Sequence, residues 1–100
     1  MRIELLYFDG CPSYRAFLPR LAELVAGAGV EAEVLLRAVE SEEQARSERF
    51  LGSPTLRVEG MDVDPSAVGR DDFGLKCRLY RTPAGLSGVP PDECVLAALR

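Results

Sequence analysis

The chain has 100 residues, 47% hydrophobic and 28% charged, which fits one globular domain over residues 1–100 and excludes both a disordered chain and a two-domain one. A net charge of −4 argues against a nucleic-acid partner, and the absence of histidine removes imidazole as an activating base or a metal ligand. No apolar stretch is long enough to span a bilayer, Arg2-Ile3-Glu4-Leu5 has no signal-peptide architecture, and three widely spaced cysteines do not form a secreted disulfide framework, so the expected setting is reducing, cytoplasmic and without a membrane partner.

Arg2 to Phe8 is a near-continuous apolar run broken by Glu4, the pattern of a strand buried on both faces at the centre of a partly parallel sheet. The run stops at Asp9-Gly10, and Cys11, Pro12 and a helical pattern follow. Proline suits the first helical position because its missing N–H has no intrahelical partner there. Cys11 then falls at the N-cap, where free backbone N–H groups and the positive end of the helix dipole converge. That setting stabilises a thiolate, the reactive form of the thiol.

The helix is expected from Pro12 to about Gly27, with Phe17, Leu21, Leu24, Val25 and Ala28 on one side and a kink at Pro19. Val30 to Val39 reads as a charged strand suited to a sheet edge. Ser41-Glu42-Glu43-Gln44 is a capping box opening a helix that runs to about Leu51, stopped by Gly52. Ser53-Pro54-Thr55 leads into a third strand through Leu56 and Val58, and Gly60 to Gly74 is a long acidic connection. Leu75 to Arg81 is the fourth strand candidate, with Leu75, Cys77 and Leu79 on one face and Lys76, Arg78 and Tyr80 on the other. Pro90, Pro91, Asp92 and Glu93 open a last helix whose core side includes Val95, Leu96 and Leu99. The expected fold is α/β, in the order β-α-β-α-β-β-α, with a four-stranded mixed sheet flanked by helices and the first strand inside it.

This order, with a cysteine at the first helix and a proline opening the third strand, resembles the thioredoxin fold. Cys11 stands where that family's N-terminal active-site cysteine stands. Pro19 matches the proline that kinks its active-site helix, and Ser53-Pro54-Thr55 matches its cis-proline segment, which faces the active-site sulfur and pairs its backbone with a substrate. More narrowly, Tyr7-Phe8-Asp9-Gly10-Cys11-Pro12, with Cys77-Arg78-Leu79-Tyr80-Arg81-Thr82-Pro83 downstream, is similar to the small bacterial DF family of (seleno)proteins, some of which carry selenocysteine at the position of Cys11. The resemblance implies a redox-active chalcogen there and names no substrate. Thioredoxins have a second cysteine where this chain has Tyr14, and dithiol exchange needs such a thiol to resolve the mixed disulfide.

The expected function is therefore that of a monothiol redox protein without a cofactor. Cys11 attacks a disulfide, a peroxide or a low-molecular-weight thiol adduct, and an external thiol or Cys77 resolves the intermediate. Tyr14, one helical turn on, is the candidate donor to the sulfur, and Pro12, Ser53, Pro54 and Thr55 are candidates for substrate contact. Cys77 is either a core residue of its strand or the resolving thiol, and bridging requires Cα atoms within about 7 Å. Cys94 reads as packing. Asp62, Asp64, Asp71 and Asp72 do not have the spacing of a calcium loop, and Lys76, Arg78 and Arg81 form a small basic cluster. Two rival functions are a carrier of a soft metal or metalloid through Cys11, and a thioredoxin-fold interaction module without catalysis.

Overall fold

The architecture was determined as a computed structural model covering residues 1–100. β1 (Arg2–Tyr7) runs through the interior of a four-stranded sheet, parallel to β2 (Glu33–Ala38) and antiparallel to β3 (Thr55–Val58). The strand order is β2-β1-β3-β4, so the charged β2 lies at an edge. β1 is covered on both faces. Ile3 and Leu5 join Phe17, Leu21 and Leu24 of α1 (Ser13–Ala28), Val95 of α3 (Asp92–Ala98) and Leu99, which caps α3, in the main core. Leu6, on the other face, packs with Val39, Phe50 and Ala45 of α2 (Glu42–Ser47). Glu4 shares that second face and is neutralised by Arg37 at 2.7 Å. The fold is a mixed α/β sheet flanked by helices, compatible with a thioredoxin-like arrangement, and no helix is long and apolar enough to cross a membrane.

The fourth strand of the sheet is not the expected segment. β4 is Met61–Asp62, a hairpin return from β3 inside what the sequence presents as an acidic connection. Glu59 and Gly60 both adopt positive φ at that turn. Leu75 to Arg81 instead crosses the end of the sheet as a strap, its backbone paired only by one parallel bridge between Cys77 and Ser53, just before β3. It then continues into a separate hairpin of β5 (Tyr80–Thr82) and β6 (Gly85–Ser87).

Two helix boundaries also shift. α2 ends at Ser47 rather than near Leu51, with Arg49 in the left-handed region at φ +56°. Its start is as expected: the Ser41 hydroxyl accepts the Gln44 N–H at 3.0 Å, while the Gln44 side chain reaches back to the Glu40 N–H at 2.9 Å. In α1 the N-cap is Pro12, in helical conformation, so Cys11 lies one residue outside the helix. The Asp9-Gly10 turn, closed by the Cys11 N–H on the Phe8 carbonyl at 3.2 Å, ends at the cysteine and leaves the capping position to the next residue.

Candidate functional site

The antiparallel pairing of β1 with β3 decides where the site is. Leu6 sits opposite Thr55, so the residues just after β1 and just before β3 meet at the same edge of the sheet. Cys11 and Ser53 are brought together there, and the Cys11 thiol donates to the Ser53 carbonyl at 3.6 Å. The Ser53–Pro54 peptide bond is cis.

The strap supplies the second sulfur. The Ser53 N–H donates to the Lys76 carbonyl at 2.8 Å, and the Arg78 N–H donates to the Ser53 carbonyl at 2.9 Å. Cys77, held between these two bonds, donates to the Cys11 sulfur across 2.7 Å, and both are free thiols. A covalent S–S bond is about 2.05 Å long. The two sulfurs differ sharply in surroundings: Cys11 is completely buried and Cys77 is exposed.

From Cys77 to Tyr80 the strap alternates, and the face that carries Arg78 and Tyr80 is the buried one, so Cys77 is not a core residue. Cys77 and Leu79 face solvent, Leu79 being 60% exposed, while Arg78 and Tyr80 are buried at 2% and 1%. A buried guanidinium is tolerable only with compensating charge and hydrogen bonds. Arg78 has both: Asp62 at 2.7 and 3.1 Å, Asp64 at 3.5 Å, the Thr55 hydroxyl at 3.1 Å, and the Tyr80 ring 4.4 Å from its Cζ. The Tyr80 hydroxyl in turn donates to the Pro54 carbonyl. The acidic residues of the connection therefore serve as counterions, and the Lys76, Arg78, Arg81 cluster is dispersed, with Arg78 inside and Lys76 paired to Asp72 at 2.9 Å.

Gly52 permits the close approach. It sits at φ +127°, and a Cβ there would lie 2.9 Å from the Arg78 Cβ and 3.0 Å from the Lys76 carbonyl oxygen. The other end of the strap is tied by the Gly74 N–H to the Phe50 carbonyl at 3.1 Å and by the Leu75 N–H to the Glu42 carboxylate at 3.0 Å.

The two thiols are driven apart electrostatically. Burial alone raises the Cys11 pKa. That effect is outweighed by hydrogen bonding from the Cys77 thiol, from the Ser13 backbone N–H and hydroxyl, and from Ser53, so Cys11 sits below the ordinary thiol value. The Ser13 N–H is the first of the helix, so the amide end of α1 does face this sulfur although Cys11 is not the N-cap. The buried Ser53 hydroxyl makes no hydrogen bond of ordinary geometry, and its polarity beside the Cys11 sulfur is the smallest of the influences that lower that thiol's pKa. Cys77 moves the other way, first because its proton is held in the hydrogen bond to Cys11, then through burial and the charge of the Cys11 thiolate.

The remaining candidates are distributed as follows. Tyr14 is buried, its ring stacks on Tyr7 with centroids 4.1 Å apart, and its hydroxyl accepts from Arg15 Nε at 3.0 Å rather than meeting the sulfur. Pro12 is exposed beside Cys11. Ser53, Pro54 and Thr55 are buried; the Ser53 backbone groups and the Pro54 carbonyl are taken by the chain itself, and the Thr55 hydroxyl donates to the Gly52 carbonyl at 2.7 Å. Cys94, half-buried on α3, lies outside the sulfur pair. No group of three or more Cys, Asp or Glu side chains is gathered to hold a metal ion, so a soft ion here would rest on two thiolates alone. Ser53-Pro54-Thr55, through the resemblance, points to the wall of the site. Ser13, Gly52, Arg78 and Tyr80 were not among the candidates, and the alternation of Arg78 and Tyr80 with Cys77 was the one sequence signal for the strap.

No protein-family model matches the chain, and comparison with curated proteins and with solved structures finds no match either.

Proposed function

We propose that the protein is a thiol–disulfide redox protein whose working pair is Cys11 and Cys77, with Cys77 as the second thiol that the place of Tyr14 does not supply. The observation that carries this reading is the 2.7 Å separation of the two sulfurs. The pair cycles between two thiols and one disulfide. Reduction of a substrate disulfide converts R–S–S–R and the two protein thiols into two R–SH and the Cys11–Cys77 disulfide, with two electrons and two protons leaving the protein. The depressed Cys11 pKa supports the chemistry, because a thiolate is both the better nucleophile at neutral pH and the better leaving group.

The test is an exchange assay on wild type, Cys11→Ser and Cys77→Ser with a small disulfide. Wild type is expected to turn over and to lose two free thiols per chain on oxidation. Cys11→Ser is expected to stop at one mixed disulfide per chain, on the exposed Cys77, and Cys77→Ser, left with the buried Cys11, to react far more slowly. Turnover in Cys77→Ser equal to wild type would overturn the two-thiol reading and return the protein to monothiol chemistry. No exchange in any of the three would leave a module without redox function.

A further inference from the structure

We infer that external thiols exchange with this protein at Cys77, so that the partner's sulfur is carried by the strap and Cys11 is the leaving group, and that these partners are low-molecular-weight thiols rather than extended polypeptides. The inference rests on the redox-pair reading above and adds its polarity and its substrate class.

The polarity follows from burial and bond direction. A thiolate displaces sulfur along the axis of the bond it breaks, from the side opposite the leaving group. For attack on Cys77 that side is solvent, since Cys77 is exposed. For attack on Cys11 the line of approach comes from within the protein, where Cys11 has no exposed surface. An incoming R–S⁻ therefore forms a bond to the Cys77 sulfur, the Cys77–Cys11 bond breaks, and its electron pair leaves on Cys11. A second R–S⁻ then attacks the R sulfur of the mixed disulfide, releasing R–S–S–R and the Cys77 thiolate, which takes a proton from water. The leaving sulfur is the one that the first amide of α1, at Ser13, faces, and a stabilised leaving group leaves faster. In the reverse direction the same sulfur, Cys77, carries the mixed disulfide and Cys11 resolves it.

The substrate class follows from the backbone of Ser53. An extended peptide docks on such an edge by pairing its main chain with free N–H and C=O groups. Here both groups of Ser53 are already bonded to Lys76 and Arg78. The strap that holds them is anchored by the buried Arg78 and by Tyr80, so a peptide must displace an internal ion-pair network to pair there. A small thiol needs only the exposed sulfur.

The experiment uses the wild-type chain. The protein is oxidised, the Cys11–Cys77 disulfide is verified by peptide mapping, and it is then reduced with limiting glutathione, quenched in acid, alkylated and mapped again. The expected result is glutathione on Cys77 with Cys11 alkylated, in excess of the opposite adduct by at least about tenfold. Glutathione on Cys11 overturns the polarity and leaves the redox pair standing, whereas failure to form the disulfide at the first step overturns both. A parallel arm compares glutathione with an unstructured cysteine-containing peptide as reductant. Equal or slower reduction by the peptide, per thiolate, supports the class, and reduction about tenfold faster overturns it.

Discussion

The two walls of the sulfur pair are built in different ways. The Phe8–Tyr14 wall is local: a buried strand, a turn closed by the Cys11 N–H, and a helix whose first amide faces the thiol. The strap wall is long-range: Cys77 is aligned by backbone bonds to Ser53 and fixed by Arg78 reaching back to Asp62, Asp64 and Thr55. The difference shows that one sulfur is positioned by rules acting over a few residues and the other by a buried charge network. The second wall is thus the one to perturb.

Arg78→Leu attacks it most strongly. Removing the cation leaves two partly buried carboxylates facing each other and frees the strap, at an expected cost of about 3–4 kcal/mol in urea unfolding. Disulfide formation should slow as well, and a loss below about 1 kcal/mol would mean that the network does not hold the strap. Gly52→Ala tests the close approach. Its Cβ meets the strap at 2.9 Å and its φ is unfavourable for alanine, so a loss of about 2 kcal/mol is expected, together with a more reactive Cys11 towards alkylating reagents. Unchanged alkylation would show that the strap does not shield that sulfur. Ser41→Ala provides the contrast, costing about 1 kcal/mol through its lost cap with no change in thiol chemistry.

Ser53→Ala has the smallest effect on stability and a specific one on titration. Its hydroxyl is one of the groups holding the Cys11 pKa down, so the variant's Cys11 should ionise at higher pH, read by thiolate absorbance. A pKa depressed in the folded state contributes stability that is full above the unfolded value and lost as the pH falls through the folded one. The wild type should therefore gain on Ser53→Ala as pH rises through the Cys11 titration. A difference that stays flat with pH would assign Ser53 to packing alone.

The same division explains what was legible in the sequence. β1, the Asp9-Gly10 turn, α1 and the Ser41 cap follow from apolar runs, turn residues and capping pairs, and each lies within a residue or two of its expected place. The proximity of Ser53 to Cys11 followed only through the resemblance, since it depends on the antiparallel pairing of β1 with β3. The sequence separates Leu75, Cys77 and Leu79 from Lys76, Arg78 and Tyr80 without deciding which set is buried, and apolar content alone favours the former. Hydrophobicity does not register that Asp62 and Asp64, remote in sequence, make Arg78 the better residue to bury. The Met61–Asp62 strand was missed because its two residues are too few to show a period and lie within an acidic stretch.

The most direct measurement is an equilibrium titration of the protein in thiol–disulfide buffers, counting free thiols and mapping the bonds at each point. One two-electron transition is expected, in which Cys11 and Cys77 disappear together into an intramolecular disulfide while Cys94 stays free. Independent oxidation of the two, or a disulfide that excludes either of them, would contradict it.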